Sequence, residues 1–397
     1  MTQIIRGWQA ARARGAETLL ATVVRVAGST YRRPGARMLL VRDGERIGAI
    51  SGGCLEREVG RKAWWRTKPG RAAVVRFDTS ADDDVAFAFG LGCQGVVWVL
   101  LERGEDAAAL LDVVGQRLDH RQMTIAVTVI DATDATVPVG TRSLLSSDGT
   151  QLSGELPPSI LDGARSRIAT LCPATPTVGY IHESGVGLFL ERIAPPPTLV
   201  ICGSGYDVAA MITAGLHVGW RVVVCADGAV GMDAARAAGA IEVFTGDAGA
   251  ARALAEADES TAVLLMTHNF SADVAWLRQW ATTEVTYIGL LGPATRAAAL
   301  CAELQKHGIA LSDELRSRLY GPVGLDLGAE TPSEIAAAVI AEIIAVRNRR
   351  SAESLRDLDR PIHTPAADEM TSVCAPTPAG TTEATRASVT CPAQSTS

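Results

Sequence analysis

The sequence predicts an α/β chain in two parts. A mixed α+β domain comes first, and a doubly wound parallel sheet follows it. Three observations predict this order. After Ala194-Pro195-Pro196-Pro197, short apolar runs alternate with helix-length amphipathic runs as far as Arg347. That alternation implies a parallel sheet with helices on both faces. Before the prolines, strand-length apolar runs are separated by loops rich in glycine and charge. Beyond about Ser351 the chain is rich in Thr, Pro, Ala and Ser without an apolar period, which predicts disorder. The expected boundaries are 1–193 for the N-terminal domain, with its core in 1–105. Residues 194–197 are a stiff proline linker, 198–350 the parallel-sheet domain and 351–397 a disordered tail.

In order, the first domain reads as a helix over Gln3–Arg14 and strands at Leu19–Val26, Arg37–Arg42 and Ile47–Ile50. A helix then runs to Trp65. Strands follow at Ala73–Phe77 and Val96–Leu101, a helix at Ala107–Leu118 and a buried strand at Thr124–Ile130. Residues 131–193 carry turn signals and short alternating runs, and end in a hairpin over Val178–Ile193 turning at Glu183-Ser184-Gly185. In the second domain, strands at Thr198–Cys202, Arg221–Ala226, Glu242–Phe244, Ala262–Met266 and Val285–Gly289 alternate with helical runs. Those runs are a stretch ending at Val218, then Asp233–Ala238, Ala250–Ala257, Ala272–Trp280 and Ala294–Lys306. A last helix spans Pro332–Arg347, with Thr331 as N-cap and proline in its first turn.

The chain has 397 residues, 47% of them hydrophobic, enough for a sizeable core and two domains or more. No apolar run approaches the roughly 20 residues of a membrane helix. The N-terminus lacks the basic-then-apolar order of a signal peptide. A soluble cytoplasmic protein with no membrane association is expected. Eight cysteines are scattered without a Cys-x-x-Cys pair or zinc-type spacing, so free thiols are expected in a reducing cytosol. Cys202 and Cys225 fall in apolar strands and read as core residues.

Net charge is −7, unevenly spread. Residues 1–76 carry 16 Lys/Arg against 5 Asp/Glu, or +11, which leaves −18 for the remainder. Such a basic segment suits a polyanionic small molecule. Nucleic acid is set aside as a partner, because no helix-turn-helix, RNA-recognition or zinc-finger signature accompanies the charge.

Ser51-Gly52-Gly53-Cys54-Leu55-Glu56 carries the most chemistry. Two glycines allow a sharp turn with exposed amides, and the following helix brings the positive end of its dipole to the same spot. A cysteine there is expected to have thiolate character. Upstream, Gly28-Ser29-Thr30-Tyr31-Arg32-Arg33-Pro34-Gly35-Ala36-Arg37 offers three arginines suited to phosphate. Asp78–Asp84 is acidic, but its spacing matches no EF-hand loop. In Phe89–Gly95, three glycines surround Cys93. Cys93 either faces Cys54, offering two sulfurs to one ligand, or is a buried thiol in a glycine turn.

In the second domain, Gly203-Ser204-Gly205 after a strand is a Rossmann-type phosphate turn. Val208 replaces its third glycine. Asp227 ends the next strand, where a ribose-binding acid sits in such folds. The domain either binds a nucleotide there or has kept the shape for something else. Thr267-His268-Asn269-Phe270 follows the fourth strand at the ligand-binding carboxyl edge. His268 is open to a structural or a functional role. Gly289–Pro293 and the glycine-rich Gly321–Pro332 end on the same edge.

With these segments in hand, the chain resembles the XdhC/CoxI family, accessory proteins of xanthine dehydrogenase and related molybdenum hydroxylases. The segments that carry the resemblance are Gly28–Met38, Ser51–Glu56, Asp78–Asp84, Gly90–Cys93, Gly203–Gly205, Thr267–Phe270, Gly289–Pro293 and Pro322–Pro332. They stand in the family's order across most of residues 1–347. The resemblance implies a molybdenum-cofactor chaperone without turnover of its own. Such a protein holds molybdopterin, or its cytosine dinucleotide, while a cysteine desulfurase or sulfurtransferase adds the terminal sulfur. It then delivers the cofactor to an apo molybdenum hydroxylase. The resemblance also implies a homodimer and maps Cys54 onto the family's loop cysteine, the candidate molybdenum contact.

Chemistry agrees with that implication. Arg32, Arg33, Arg37, Ser51, Gly52 and Gly53 would hold phosphate, and thiolate suits a metal already coordinated by sulfur. The Gly203/Gly205 crevice, with Asp227 and His268, would take a nucleotide end. The alternative is an NAD(P)-dependent oxidoreductase using that crevice and His268. A nucleotidyl-transfer enzyme lacks its glycine-rich loop and metal-binding acids here.

Overall fold

The structure, a computed structural model, describes residues 1–359 except Ser29, Pro69, 79–94, 133–136, 170–177, Ser184, Asp227, Ile241 and 245–255. The described residues form two compact units, Met1–Pro195 and Pro196–Asp359. Of the tail expected over 351–397, Ser351–Asp359 is described and carries a short helical turn at Leu355–Asp357, and the rest lies outside the described residues.

Unit 1 is built on two antiparallel sheets. The first has the order β3-β2-β1-β5-β4, from β1 (Thr18–Gly28), β2 (Arg37–Val41), β3 (Arg46–Gly48), β4 (Ala73–Asp78) and β5 (Gly95–Arg103). The central strand β1 is apolar on both faces, because each face is covered. Leu19, Ala21 and Val23 pack beneath α2 (Cys54–Arg66), which contributes Leu55, Val59 and Ala63. Leu20 on the opposite face joins Ile4, Ile5 and Trp8 of α1 (Thr2–Ala13) and Leu110, Leu111 and Val114 of α3 (Ala108–Asp119).

The second sheet was not legible as a sheet in residues 131–193. Its order is β8-β7-β6-β10-β9, from β6 (Thr124–Ala132), β7 (Arg142–Leu145), β8 (Gln151–Gly154), β9 (Val178–Glu183) and β10 (Val186–Ile193). The expected hairpin is β9–β10. A helix the sequence reading omitted, α4 (Pro158–Ala169), covers one face through Ile160, Leu161 and Ala164. The other face meets the first sheet. Val24 and Leu100 pack on Ile130 and Phe189. The Arg25 guanidinium lies between the Trp98 ring at 5.0 Å and the Tyr180 ring at 4.8 Å. Such cation–π contacts hold a charge in a largely apolar seam. Two buried ion pairs cross the same seam, Arg37 with Glu191 and Arg142 with Glu102.

Unit 2 is an all-parallel six-stranded sheet in the order β13-β12-β11-β14-β15-β16. Its strands are β11 (Thr198–Cys202), β12 (Arg221–Cys225), β13 (Glu242–Phe244), β14 (Thr261–Leu265), β15 (Tyr287–Leu290) and β16 (Leu319–Tyr320). One face carries α5 (Val208–His217), α6 (Gly228–Ala237) and α10 (Pro332–Arg347). The other carries α7 (Phe270–Trp280), α8 (Ala294–Lys306) and α9 (Asp313–Arg318). This is the expected Rossmann-like doubly wound sheet. The short α9 and β16 were missed, being too brief to show a period. The helix expected over Ala250–Ala257 falls mainly outside the described residues. Cys202 and Cys225 are buried and paired in register on β11 and β12, as a core reading expects. Burial, with Cys225 as neighbour, pushes the Cys202 thiol well up.

Candidate functional site

In unit 1, Ile50–Gly53 leads from β3 into α2. Gly53, the N-cap, has φ +126°, a conformation that favours glycine. Cys54 is the first residue of α2. The loop's polar groups converge on one side chain. Glu56, 7% exposed, accepts the Ile50 amide at 3.0 Å and the Gly53 amide at 2.8 Å. It also accepts the Ser51 amide and the Ser51 hydroxyl. Burial works to raise the Glu56 pKa, but these hydrogen bonds outweigh it and hold the carboxyl below the usual range. Hydrogen bonds to a charged group are each worth about 1.5–3 kcal/mol.

The Ser51 and Gly53 donors, expected to hold phosphate, bond the chain's own carboxylate here. Glu56 was not among the expected site residues, although a glutamate at the third position of a helix is a recognisable capping signal. Arg37, expected beside Arg32 and Arg33 at a phosphate, is 9% exposed, and its guanidinium meets the Glu191 carboxylate through both terminal nitrogens. The bidentate geometry is that of a structural ion pair.

The two loops do meet. A Cβ placed on Gly52 would lie 3.9 Å from the Tyr31 ring. Tyr31 is 67% exposed, and Arg32 beside it is exposed as well. An exposed aromatic ring, a basic loop and the Cys54 turn thus share one end of the first sheet. Arg33 is partly buried in the same loop. Cys93 lies outside the described residues.

In unit 2, the strand order reverses between β11 and β14, the position where doubly wound sheets bind ligands. The loops after these strands carry Gly203–Asp207 and Thr267–Asn269. Gly203 is required by close approach, since a Cβ there would sit 2.4 Å from the Met266 carbonyl oxygen. His268 takes φ +58° and is held by Asp207, with Nε2 3.1 Å from Oδ2. Gly205 lies against the same ring, 3.1 Å separating a notional Cβ from Nε2. Thr267 donates its hydroxyl to buried Asp273 at 2.6 Å, and Asp273 in turn accepts from Arg296 at 2.6 Å. The loop carrying His268 is thus anchored to α7 and α8. Asp227 lies outside the described residues.

Asp207 stands one position before α5. A phosphate turn needs positive potential at that helix end. A carboxylate there opposes a pyrophosphate.

No cluster of three or more His, Cys, Asp or Glu residues with metal-binding geometry occurs among the described residues. None of the described helices is long and apolar enough to cross a membrane.

The family model described as the XdhC Rossmann domain matches residues 199–343, and that described as the XdhC and CoxI family matches residues 11–78. The chain belongs to the XdhC/CoxI family. Among XdhC/CoxI-like relatives, a Bacillus subtilis protein named as a probable xanthine dehydrogenase subunit is 28% identical, covering 84% of this chain and 94% of its own length. The Escherichia coli molybdenum cofactor insertion chaperone PaoD is 26% identical over 86% of each chain. A crystal structure described as a xanthine dehydrogenase from Bacillus halodurans superposes with a TM-score of 0.72 at 26% identity. It covers 89% of this chain and 98% of its own.

Proposed function

We propose that this XdhC/CoxI protein is a maturation factor that carries molybdenum cofactor as cargo and inserts it into a xanthine dehydrogenase-type molybdenum hydroxylase. The observation that carries this proposal is the meeting of the two unit 1 loops, with Tyr31 against Gly52 one residue from Gly53 and two from Cys54. The arrangement offers what a phosphorylated pterin bearing a sulfur-ligated metal needs. A flat ring can lie on the Tyr31 face, phosphate can pair with Arg32 and Arg33, and a cysteine can meet the metal. Cys54 is the residue assigned to that last contact. The name of the Escherichia coli relative supports the cargo, and that of the Bacillus subtilis relative supports the client class.

In the same proposal, the protein holds the cofactor while a cysteine desulfurase or sulfurtransferase supplies sulfur, works in the cytoplasm as a homodimer and turns over no substrate. The Rossmann-like unit serves as a platform. Its Asp207 carboxylate disfavours the NAD(P)-dependent alternative, because a dinucleotide pyrophosphate would have to approach a fixed negative charge. The nucleotide extension of a cytosine dinucleotide form would meet the same charge, which favours the monophosphate as cargo.

The test is co-expression with a candidate molybdenum hydroxylase, followed by purification and mass spectrometry of the bound pterin. Recovery of molybdopterin with the protein supports the proposal. Recovery of no pterin while the client enzyme matures normally contradicts it.

A further inference from the structure

We propose that Glu56 is a positioning residue that acts as a built-in anion. It fills the amide ring of Ile50–Gly53 and thereby fixes the loop that presents Cys54. This inference rests on the molybdenum-cofactor proposal and deepens it by assigning where the cargo's phosphate is recognised.

Three backbone amides and one hydroxyl aimed at a single point are the donor set of an anion-binding nest. In this chain the point is occupied by the two oxygens of Glu56, with the Ile50 and Gly53 amides at 3.0 and 2.8 Å and both donors of Ser51 completing the set. The side chain is buried and comes from the first turn of α2, so it is tethered at its partners rather than recruited from solution. Cys54 is bracketed by this arrangement. Gly53 before it donates to the carboxylate, and Glu56 two positions after it supplies the carboxylate. The direction in which the chain leaves β3 and enters α2 is therefore set by one residue.

Two consequences follow from like-charge repulsion and from donors already used. A phosphate cannot share the ring with the carboxylate. Phosphate recognition therefore belongs to the neighbouring Gly28–Gly35 loop, where Arg32 is exposed and Tyr31 lies over Gly52. An empty ring, in contrast, would accept a small carboxylate from solution.

The test uses the full-length chain as wild type, Glu56→Ala and Glu56→Gln. Hydrogen exchange of the Ser51 and Gly53 amides is read without cargo, and retention of added molybdopterin is read separately. Glu56→Ala should lose protection at both amides and bind molybdopterin about tenfold more weakly, the effect of losing a charge-assisted hydrogen-bond set. Formate should restore both, and chloride at equal ionic strength should restore neither. Glu56→Gln keeps one acceptor oxygen for the Ile50 and Ser51 amides but turns an NH2 donor towards the Gly53 amide, so it should lose protection at Gly53 and show no formate rescue. It also serves as the probe if the alanine variant fails to fold. Wild-type protection of the Gly53 amide in either variant, or rescue by chloride as good as by formate, would overturn the assignment. If wild-type protein retains no molybdopterin, the cargo proposal fails, while amide protection and its formate rescue still decide the role of Glu56.

Discussion

His268 Nε2 lies 3.1 Å from Asp207 Oδ2 and 3.3 Å from Oδ1, so the histidine at the switch point of the parallel sheet is held by the residue that precedes α5. The pair stands at the N-terminal end of α5, the place where a Rossmann-type turn holds a dinucleotide pyrophosphate. Calorimetry with NAD(H) and NADP(H) should therefore show no binding tighter than about 1 mM, or −4.1 kcal/mol. Replacing the carboxylate, Asp207→Ser, should allow ADP to bind measurably at the vacated helix end. Micromolar NAD(P)H binding by the wild type would restore the oxidoreductase alternative.

Arg37 is predicted to matter for stability rather than for cargo. Breaking its buried pair with Glu191 by Arg37→Met leaves a carboxylate buried without a partner, at a cost of about 3–5 kcal/mol. Removing both charges, Arg37→Met with Glu191→Met, should recover much of that loss. Thermal unfolding of the two variants checks this. A stable Arg37→Met single variant that has lost molybdopterin retention would return Arg37 to the phosphate site.

One carboxylate of α10 reaches both the Gly321–Pro332 segment and β15. Glu342 accepts the Tyr287 hydroxyl at 2.5 Å and the Gly324 amide at 3.0 Å, and Tyr287 stacks on Tyr320 at 4.4 Å. Burial, then Glu342, pushes the Tyr287 hydroxyl well above its usual pKa, so it stays a donor. Tyr287→Phe removes one of these bonds and should cost about 1 kcal/mol. Glu342→Ala strips both donors of their acceptor and should cost more. Chemical denaturation of each variant measures the difference, and equal stability of the two would contradict it.

The start of α10 should respond to acid. Glu334 accepts the Thr331 amide at 2.9 Å and the Glu330 amide at 3.1 Å, while the Thr331 hydroxyl accepts the Glu334 amide at 3.3 Å. These bonds hold the Glu334 carboxyl below its ordinary pKa. A carboxylate lowered on folding contributes stability above the unfolded value, about 4.3, and the contribution disappears as pH falls through the lowered folded value. Glu334→Gln should therefore melt below wild type at neutral pH and converge with it in acid. Parallel melting curves with a constant gap at every pH would contradict the assignment.

How much was legible in the sequence followed the strength of the local signal. Helix α10 declared itself through Thr331, Pro332 and a long apolar run, and its expected and observed bounds coincide. The parallel strands other than β16 were equally plain, because burial on both faces leaves continuous apolar runs such as Val222–Cys225. The second sheet of unit 1 was hidden because β7 and β8 are four residues each, too short to show alternation. At the site, the Cys54 turn and its helix were readable from two glycines. The identity of the anion inside the turn was not, since composition cannot say whether a nest is filled by a ligand or by its own chain. The ion pair of Arg37 was hidden for a related reason. Its partner Glu191 lies 154 positions away, and no local pattern reports a pairing across two sheets.

Reconstitution of the purified protein with molybdopterin tests the cargo role most directly. Stoichiometry is read first, followed by activation of an apo molybdenum hydroxylase, with Cys54→Ala measured alongside. Wild-type protein should retain molybdopterin stoichiometrically and transfer it, with both weakened in Cys54→Ala. Failure of the wild type to retain molybdopterin would contradict the cargo itself. Retention and transfer by Cys54→Ala equal to wild type would contradict the role given to Cys54.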